Sequence, residues 1–299
     1  CYTNAAKASI SRRAVARPSF LIEMGATTLV GKQTLVRETR KVVRAIFPVL
    51  KEKGESLKDV TEKLLLVFNY DLDIRLQHYA IHVLPIGYLD NFARGVIGYS
   101  VGTNITALRW LRLSNRKFVL KGSFGTETST YNSLGDVTGT APYDHITKEK
   151  LEKKFSRFLG AIEQTIAPAD GVEIPPEHVV KREHVAVMKR PAICHSIKCS
   201  KLNLPDFLLE IECGPGFSPR TFVHDLGKDL DSCAHVVHLE QTQYGPFTLE
   251  HALPAYRWSW DEASAASEKL RSLWSSHVDK VRSDMKDQYH LFKNLARYC

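Results

Sequence analysis

One acid stands out for its surroundings. Asp90 lies in Leu84-Pro85-Ile86-Gly87-Tyr88-Leu89-Asp90-Asn91-Phe92-Ala93-Arg94-Gly95-Val96-Ile97-Gly98, between apolar residues and glycines. A carboxylate among apolar groups is poorly solvated and needs a cation or hydrogen-bond donors to stay ionised. Held in that state, it is the group that nucleophilic or base chemistry requires. The glycines let the backbone turn tightly and let a substrate come close. Two clusters follow, Ala107-Leu108-Arg109-Trp110-Leu111-Arg112 and Asn115-Arg116-Lys117-Phe118-Val119-Leu120. They add cations and an aromatic, Phe118, in a stretch that reads as a half-buried strand. Taken alone, Asp90 is more often a turn or cap residue.

The remaining reactive types carry less. Six cysteines (Cys1, Cys194, Cys199, Cys213, Cys233, Cys299) form no Cys-x-x-Cys pair and no disulfide-like framework. Cys194-His195, Cys199 and Cys213 with His235 and His238 make a poor zinc set, so the reading is reduced core cysteines and no metal site. With 299 residues, 43% of them hydrophobic and 25% charged, the chain is long enough for one large domain or two smaller ones and is neither disordered nor fibrous. No uncharged apolar run approaches the ~18–20 residues that a membrane helix needs. A net charge of +8 suits a polyanion, RNA or DNA, although a solvated basic surface gives the same number.

Periodicity supplies the elements. Ser19–Met24 reads as a short strand. Apolar residues Leu35, Val36, Val42, Val43, Ile46, Phe47 and Leu50 argue one amphipathic helix from Lys32 to about Lys53, with Arg37, Arg40, Lys41 and Arg44 opposite. A second helix runs from Leu57 to Val67, and an alternating stretch from Ile74 to Val83. Strands follow at 116–124 and at 207–213, with a helix capped by Thr147 between them. A tight turn, Gly214 to Pro219, opens a helix from Arg220 to about Leu230, and Ala234–Leu239 is a buried strand. Beyond Ser259, Leu270, Trp274, Val278, Val281, Met285, Tyr289 and Phe292 mark one long amphipathic helix.

Set together, these stretches resemble the TruB family of RNA pseudouridine synthases, whose signature reads Gly-His-x-Gly-x-Leu-Asp-Pro-x-Ala-x-Gly followed by Lys-Arg-Tyr. Leu89-Asp90, Ala93, Gly95, Gly102 and Lys117-Phe118 fall in register. Phe124-Gly125-Thr126-Glu127-Thr128-Ser129-Thr130-Tyr131-Asn132 tracks the family's Leu-Gly-x-x-Thr-Asp-Thr-x-Asp, with both acids replaced. Gly160-Ala161-Ile162-Glu163-Gln164 tracks Gly-x-Ile-x-Gln. Gly216-Phe217-Ser218-Pro219-Arg220-Thr221, Asp225-Leu226-Gly227 and Ala234-His235-Val236 track the later motifs, and residues 165–190 read as a variable loop.

The resemblance implies an α/β fold: a mixed, largely antiparallel bent sheet with flanking helices around a central cleft. It implies Asp90 as the carboxylate acting on the ribose of a uridine, Arg220 as the cation pairing with it, and Phe118 as the stacking aromatic where the family has Tyr. Asp90 and Arg220 should then meet in the cleft. Arg94, Arg109, Arg112, Arg116 and Lys117 are the expected RNA contacts, supplying affinity and little sequence choice. No cofactor or metal is implied. Several motif positions depart: Pro85 stands for the family His, Asn91 for Pro, Thr106 for Lys, and Glu23-Met24 was matched to the Lys-Pro pair of the opening strand.

The expected organisation is a basic extension over 1–18, a synthase domain over 19–258 and a C-terminal helix over 259–299, without the bacterial members' extra RNA-binding domain. The acid-poor first 22 residues, with Lys7, Arg12, Arg13 and Arg17, read as mitochondrial targeting sequence or as a basic tail on nucleic acid. Two functions remain open. One is a pseudouridine synthase acting on tRNA or rRNA. The other is a non-catalytic RNA-binding factor in ribosome assembly, its last helix docked on the body or on a protein partner. A DNA-binding reading rests on charge alone.

Overall fold

The computed structural model describes residues 44–72, 81–102, 105–165 and 189–287, and these fall in one unit that begins at Arg44. The expected strand at Ser19–Met24, the Glu23-Met24 match, the first part of the helix from Lys32, residues 73–80 and most of the variable loop lie outside them.

The centre is a sheet whose strands follow the order β1 (Ala45–Lys51), β3 (Arg94–Val101), β10 (Ala234–Tyr244), β4 (Arg116–Phe124), β9 (Asp206–Cys213), β8 (Lys189–Asn203), β7 (Gly160–Thr165). Short strands β2 (Val83–Ile86) and β11 (Phe247–Thr248) pair with β3 and β10, and β5 (Thr126–Thr128) pairs with β6 (Val137–Thr140) in a separate ribbon. Every pairing is antiparallel except β3 with β10, which run parallel through Arg94–Glu240 and Gly95–Gln241. The helices are α1 (Leu57–Asp71), α2 (Ile105–Arg112), α3 (Lys148–Phe155), α4 (Pro219–Asp229), α5 (Trp260–Lys269) and α6 (Arg271–Asp287). This is the mixed, largely antiparallel α/β architecture that the resemblance implied.

Two elements differ from the sequence reading. Residues 45–51, expected in a helix, form β1. Six of its seven residues are buried, so neither face is polar and no period of two shows in the sequence. Pro48, which would break a helix interior, is tolerated because β1 ends the strand order. Likewise the single helix expected beyond Ser259 is two helices, broken at Leu270 (φ −95, ψ 3). The break lets each helix bury its own contacts. Trp260 on α5 packs against Phe68 of α1, which packs against Phe47 of β1, with ring centroids 5.5 and 5.9 Å apart. Ser267 on α5 accepts the Ile46 backbone N–H at 3.0 Å, and Leu270 and Val278 join Ile46, Leu108, Leu111 and Tyr244 in one core.

Candidate active site

Asp90 sits in the connection between β2 and β3, and the chain fixes that connection at both ends. Gly87 (φ 85) passes under Tyr244, whose hydroxyl would lie 2.4 Å from an added Cβ. Gly95 (φ 146) lies so close to β10 that a Cβ would be 2.3 Å from the Gln241 carbonyl oxygen. A side chain at either place would push the loop out. Between them Asp90 closes a local turn: its Oδ1 accepts the Phe92 N–H at 2.8 Å and its carbonyl accepts the Ala93 N–H at 3.0 Å.

Arg220 reaches this turn from the start of α4. Ser218 is the N-cap and Pro219 the first helical residue, both suited to a helix start. Gln164 on β7 fixes that cap: its Oε1 accepts the Ser218 N–H at 2.8 Å and its Nε2 donates to the Ser218 carbonyl at 3.2 Å. Arg220 Nη2 then lies 2.5 Å from Asp90 Oδ2, with the arginine side chain 3% exposed and the aspartate 15%. Arg220 Nη1 donates to the Thr130 carbonyl at 2.8 Å. One guanidinium thereby ties the Asp90 turn to the loop after β5.

A second cation was not anticipated. Lys51, the last residue of β1, is 0% exposed and donates through Nζ to the carbonyls of Ala93 (2.6 Å), Glu52 (3.0 Å) and Asn91 (3.4 Å). It therefore holds the back of the Asp90 turn. Burial pulls its pKa down to about 8, while Asp90, Glu55 and Glu52 pull the other way. The strand behind the Asp90 turn is thus β1, and the chain leaves it through Gly54, whose N–H donates to the Asn91 carbonyl at 2.8 Å.

The other expected residues divide. Phe118 is 4% exposed on β4, in the row that joins Ile211, Gln241 and Gly95, and no ring or polar contact among the described residues ties it to Asp90 or Arg220. Arg94 bridges Glu52 (3.0 Å) and Glu240, so its charge is already matched. Arg109, Arg112 and Lys117 are exposed on α2 and at the start of β4. Arg116 is half-buried, with its Nε lacking a hydrogen-bond partner among the described residues. Tyr88, two residues before Asp90, is 40% exposed. Cys194, Cys199, Cys213 and Cys233 are free and buried, and burial pushes the Cys194 and Cys213 thiols up to about 12. No helix among the described residues is long and apolar enough to cross a membrane.

Comparison with known proteins decides the family. The model for the N-terminal domain of TruB family pseudouridylate synthases matches residues 82–218. A human protein named pseudouridylate synthase TRUB1 is 34% identical over 252 residues, covering 80% of this chain and 72% of the relative. The chain belongs to the TruB family. A Xenopus tropicalis protein named pseudouridylate synthase TRUB2, mitochondrial, is 26% identical over 192 residues, 62% of this chain and 59% of that one. Among solved structures, a Cbf5–Nop10–Gar1 complex shares the fold with a TM-score of 0.50 at 18% identity. That match covers 71% of this chain and 52% of the solved one, so the chain spans about half the length of that structural relative.

Proposed function

We propose that this chain converts uridine to pseudouridine in a structured RNA, tRNA or rRNA, with Asp90 as the carboxylate that acts on the ribose. The observation that carries the reading is the buried ion pair between Arg220 and Asp90, 2.5 Å apart. Arg220 holds the carboxylate in place through a charge-assisted contact and so aims it. The bond from ribose C1′ to uracil N1 breaks, the base turns and C1′ bonds to C5; the proton that leaves C5 is balanced by one taken up at N1, so the product is an isomer of the substrate and nothing is consumed. The target uridine must leave its stack to reach Asp90, and Phe118 is the aromatic offered to it. Arg109, Arg112, Arg116 and Lys117 would hold the RNA backbone.

The organisation proposed with it is a basic extension over 1–18, a synthase domain over 19–258 and a helical C-terminal segment over 259–299. A mitochondrial location is in keeping with the basic, acid-poor first 22 residues and with the mitochondrial relative. The test is pseudouridine mapping of organelle and cytosolic RNA from cells carrying wild type or Asp90→Ala at equal level. Sites lost with Asp90→Ala identify both the activity and its target; an unchanged map removes the catalytic role.

A second reading has its own support. Pro85 for the motif His, Asn91 for the Pro after the Asp, Thr106 for the motif Lys, and Ser129 and Asn132 for the two motif acids are changes that would alter the RNA-reading shell. A non-catalytic RNA-binding factor for ribosome assembly fits those changes, with α6 as the surface for a ribosomal or assembly protein. Depletion that harms ribosomes while no pseudouridine changes would select it.

A further inference from the structure

The loop that receives Arg220's second arm contains a strained residue. Tyr131 has φ 59, a left-handed conformation that residues other than glycine seldom adopt. Strain of this kind persists where surrounding contacts fix it, and the contacts here are specific. The Tyr131 ring lies flat on the His224 imidazole, with centroids 3.9 Å apart and planes 11° from parallel. On the loop side, the Tyr131 carbonyl accepts the Val236 N–H at 3.0 Å, and the Asn132 side-chain oxygen accepts from Thr130 Oγ1 at 3.0 Å and from the Leu134 N–H at 2.9 Å.

Two positions in this arrangement make it more than loop packing. Thr130, immediately before the strained residue, supplies the carbonyl bound by Arg220 Nη1. His224 lies four residues after Arg220 on α4, hence on the same helix face one turn on. A plate stacked on His224 thus fixes the distance between α4 and the Thr130 carbonyl. The groups facing His224 are Glu127 on β5 (3.7 Å from Nδ1), Lys228 on α4, which pairs with the same Glu127 at 2.5 Å, and the Tyr131 ring. Burial holds His224 below its ordinary range, with Glu127 opposing and Lys228 assisting, so the ring is neutral near pH 7 and stacks as an uncharged aromatic.

We propose that the stacked Tyr131–His224 pair is a positioning clamp for Arg220: it fixes the Thr130 carbonyl so that the guanidinium stays aimed at Asp90. The pair touches no reacting atom and acts through Arg220. The inference rests on Asp90 and Arg220 being the catalytic pair. It assigns a role to residues that the family signature leaves as spacers.

The experiment compares wild type, His224→Ala, His224→Phe and Tyr131→Phe, all as full chains. Single-substrate kinetics on the RNA found by mapping are paired with NMR of the Arg220 guanidinium. His224→Ala should lower kcat about 10- to 100-fold with KM unchanged, the scale of a misplaced group about 1 Å away from its proper geometry. His224→Phe and Tyr131→Phe keep a flat ring, fold in the same way and should retain wild-type kcat. The Arg220 Nη signals, distinct in wild type, should average in His224→Ala and stay distinct in the Phe variants. Wild-type kcat per folded molecule in His224→Ala overturns the clamp. So does a His224→Phe as impaired as His224→Ala, which would assign the role to the polar edge of the imidazole. If Asp90→Ala still makes pseudouridine, the catalytic reading fails, while the guanidinium spectra decide the clamp independently.

Discussion

At the scale of residues, the site is one carboxylate between two buried cations of different character. Arg220 meets Asp90 directly, and Lys51 donates to the backbone carbonyls behind it. Removing one member of a buried pair leaves the other uncompensated, which costs roughly 3–5 kcal/mol. Arg220→Ala is therefore expected to lose product formation and also to melt roughly 10 °C lower. Arg220→Lys should recover part of the stability and little of the activity, because an ammonium cannot span both Asp90 and the Thr130 carbonyl. Thermal melts beside product assays separate the two effects. Lys51 gives a pH signature. Its pKa is about 8 in the folded chain against 10.5 unfolded, so below about pH 8 it is charged in both states and its burial cost is fully present. Between about 8 and 10.5 the unfolded chain binds the extra proton, and this group's contribution makes stability rise with pH, by up to about 3 kcal/mol. Urea titrations from pH 7 to 10 should show a rise in wild type that Lys51→Met lacks; parallel curves would refute it. Asp90 and Arg220 were legible because their flanks kept the family's motifs. Lys51 was not, because a lysine at the end of an apolar run reads as a solvated end, and only the fold buries it behind the Asp90 turn.

At the scale of elements, legibility followed the number of polar faces. β4 and β9 each have an exposed face, alternate visibly, and were found in the sequence. α3 and α4 carried N-caps, Thr147 and Ser218, that mark their starts. β1 is buried on both faces and was taken for a helix. The break at Leu270 carries no glycine or proline, so it is set by tertiary packing, with α5 on β1 and α6 on α2. The approach of β3 to β10 was also invisible, although Gly95 was noted for its flexibility. Two glycines with positive φ make the point testable. Gly54 (φ 90) has nothing within 4 Å of an added Cβ, so Gly54→Ala should cost only the left-handed penalty, about 1 kcal/mol. Gly95 (φ 146) faces the Gln241 carbonyl oxygen at 2.3 Å, so Gly95→Ala adds a backbone clash and should cost roughly 2–4 kcal/mol. Equal urea midpoints for the two variants would show that β3 can move away from β10. Because β3 carries the Asp90 turn, Gly95→Ala should also slow catalysis.

At the scale of the whole molecule, the net charge of +8 suggested a polyanion but did not say which cations meet it. The fold sorts them. Lys121 faces Asp206 at 2.7 Å, Lys154 and Arg157 face Asp229, and Arg94 is held by Glu52 and Glu240, so these charges are already compensated. Arg109 and Arg112 are exposed on α2, the helix that follows the Asp90 turn, and α2 is backed by α6. Arg109 and Arg282 both lie 5.6 Å from the Trp110 ring, which links the basic helix to the C-terminal one. Each cation that neutralises a phosphate releases counterions, so its loss reduces the salt dependence of RNA affinity by about one unit of slope. Arg109→Ala and Arg112→Ala should each lower the slope of log affinity against log salt by about that amount, uniformly across RNA sequences. Arg94→Ala should leave the slope close to wild type, because Arg94 contributes little free charge to an incoming phosphate. It should instead lower the melting temperature, since Glu240 is then left half-buried beside β3 without its partner. Titrations at three salt concentrations decide the matter. A slope that falls equally with Arg94→Ala and Arg109→Ala would mean that the RNA displaces Glu52 and Glu240 and binds over the sheet, beside Asp90 and away from α2.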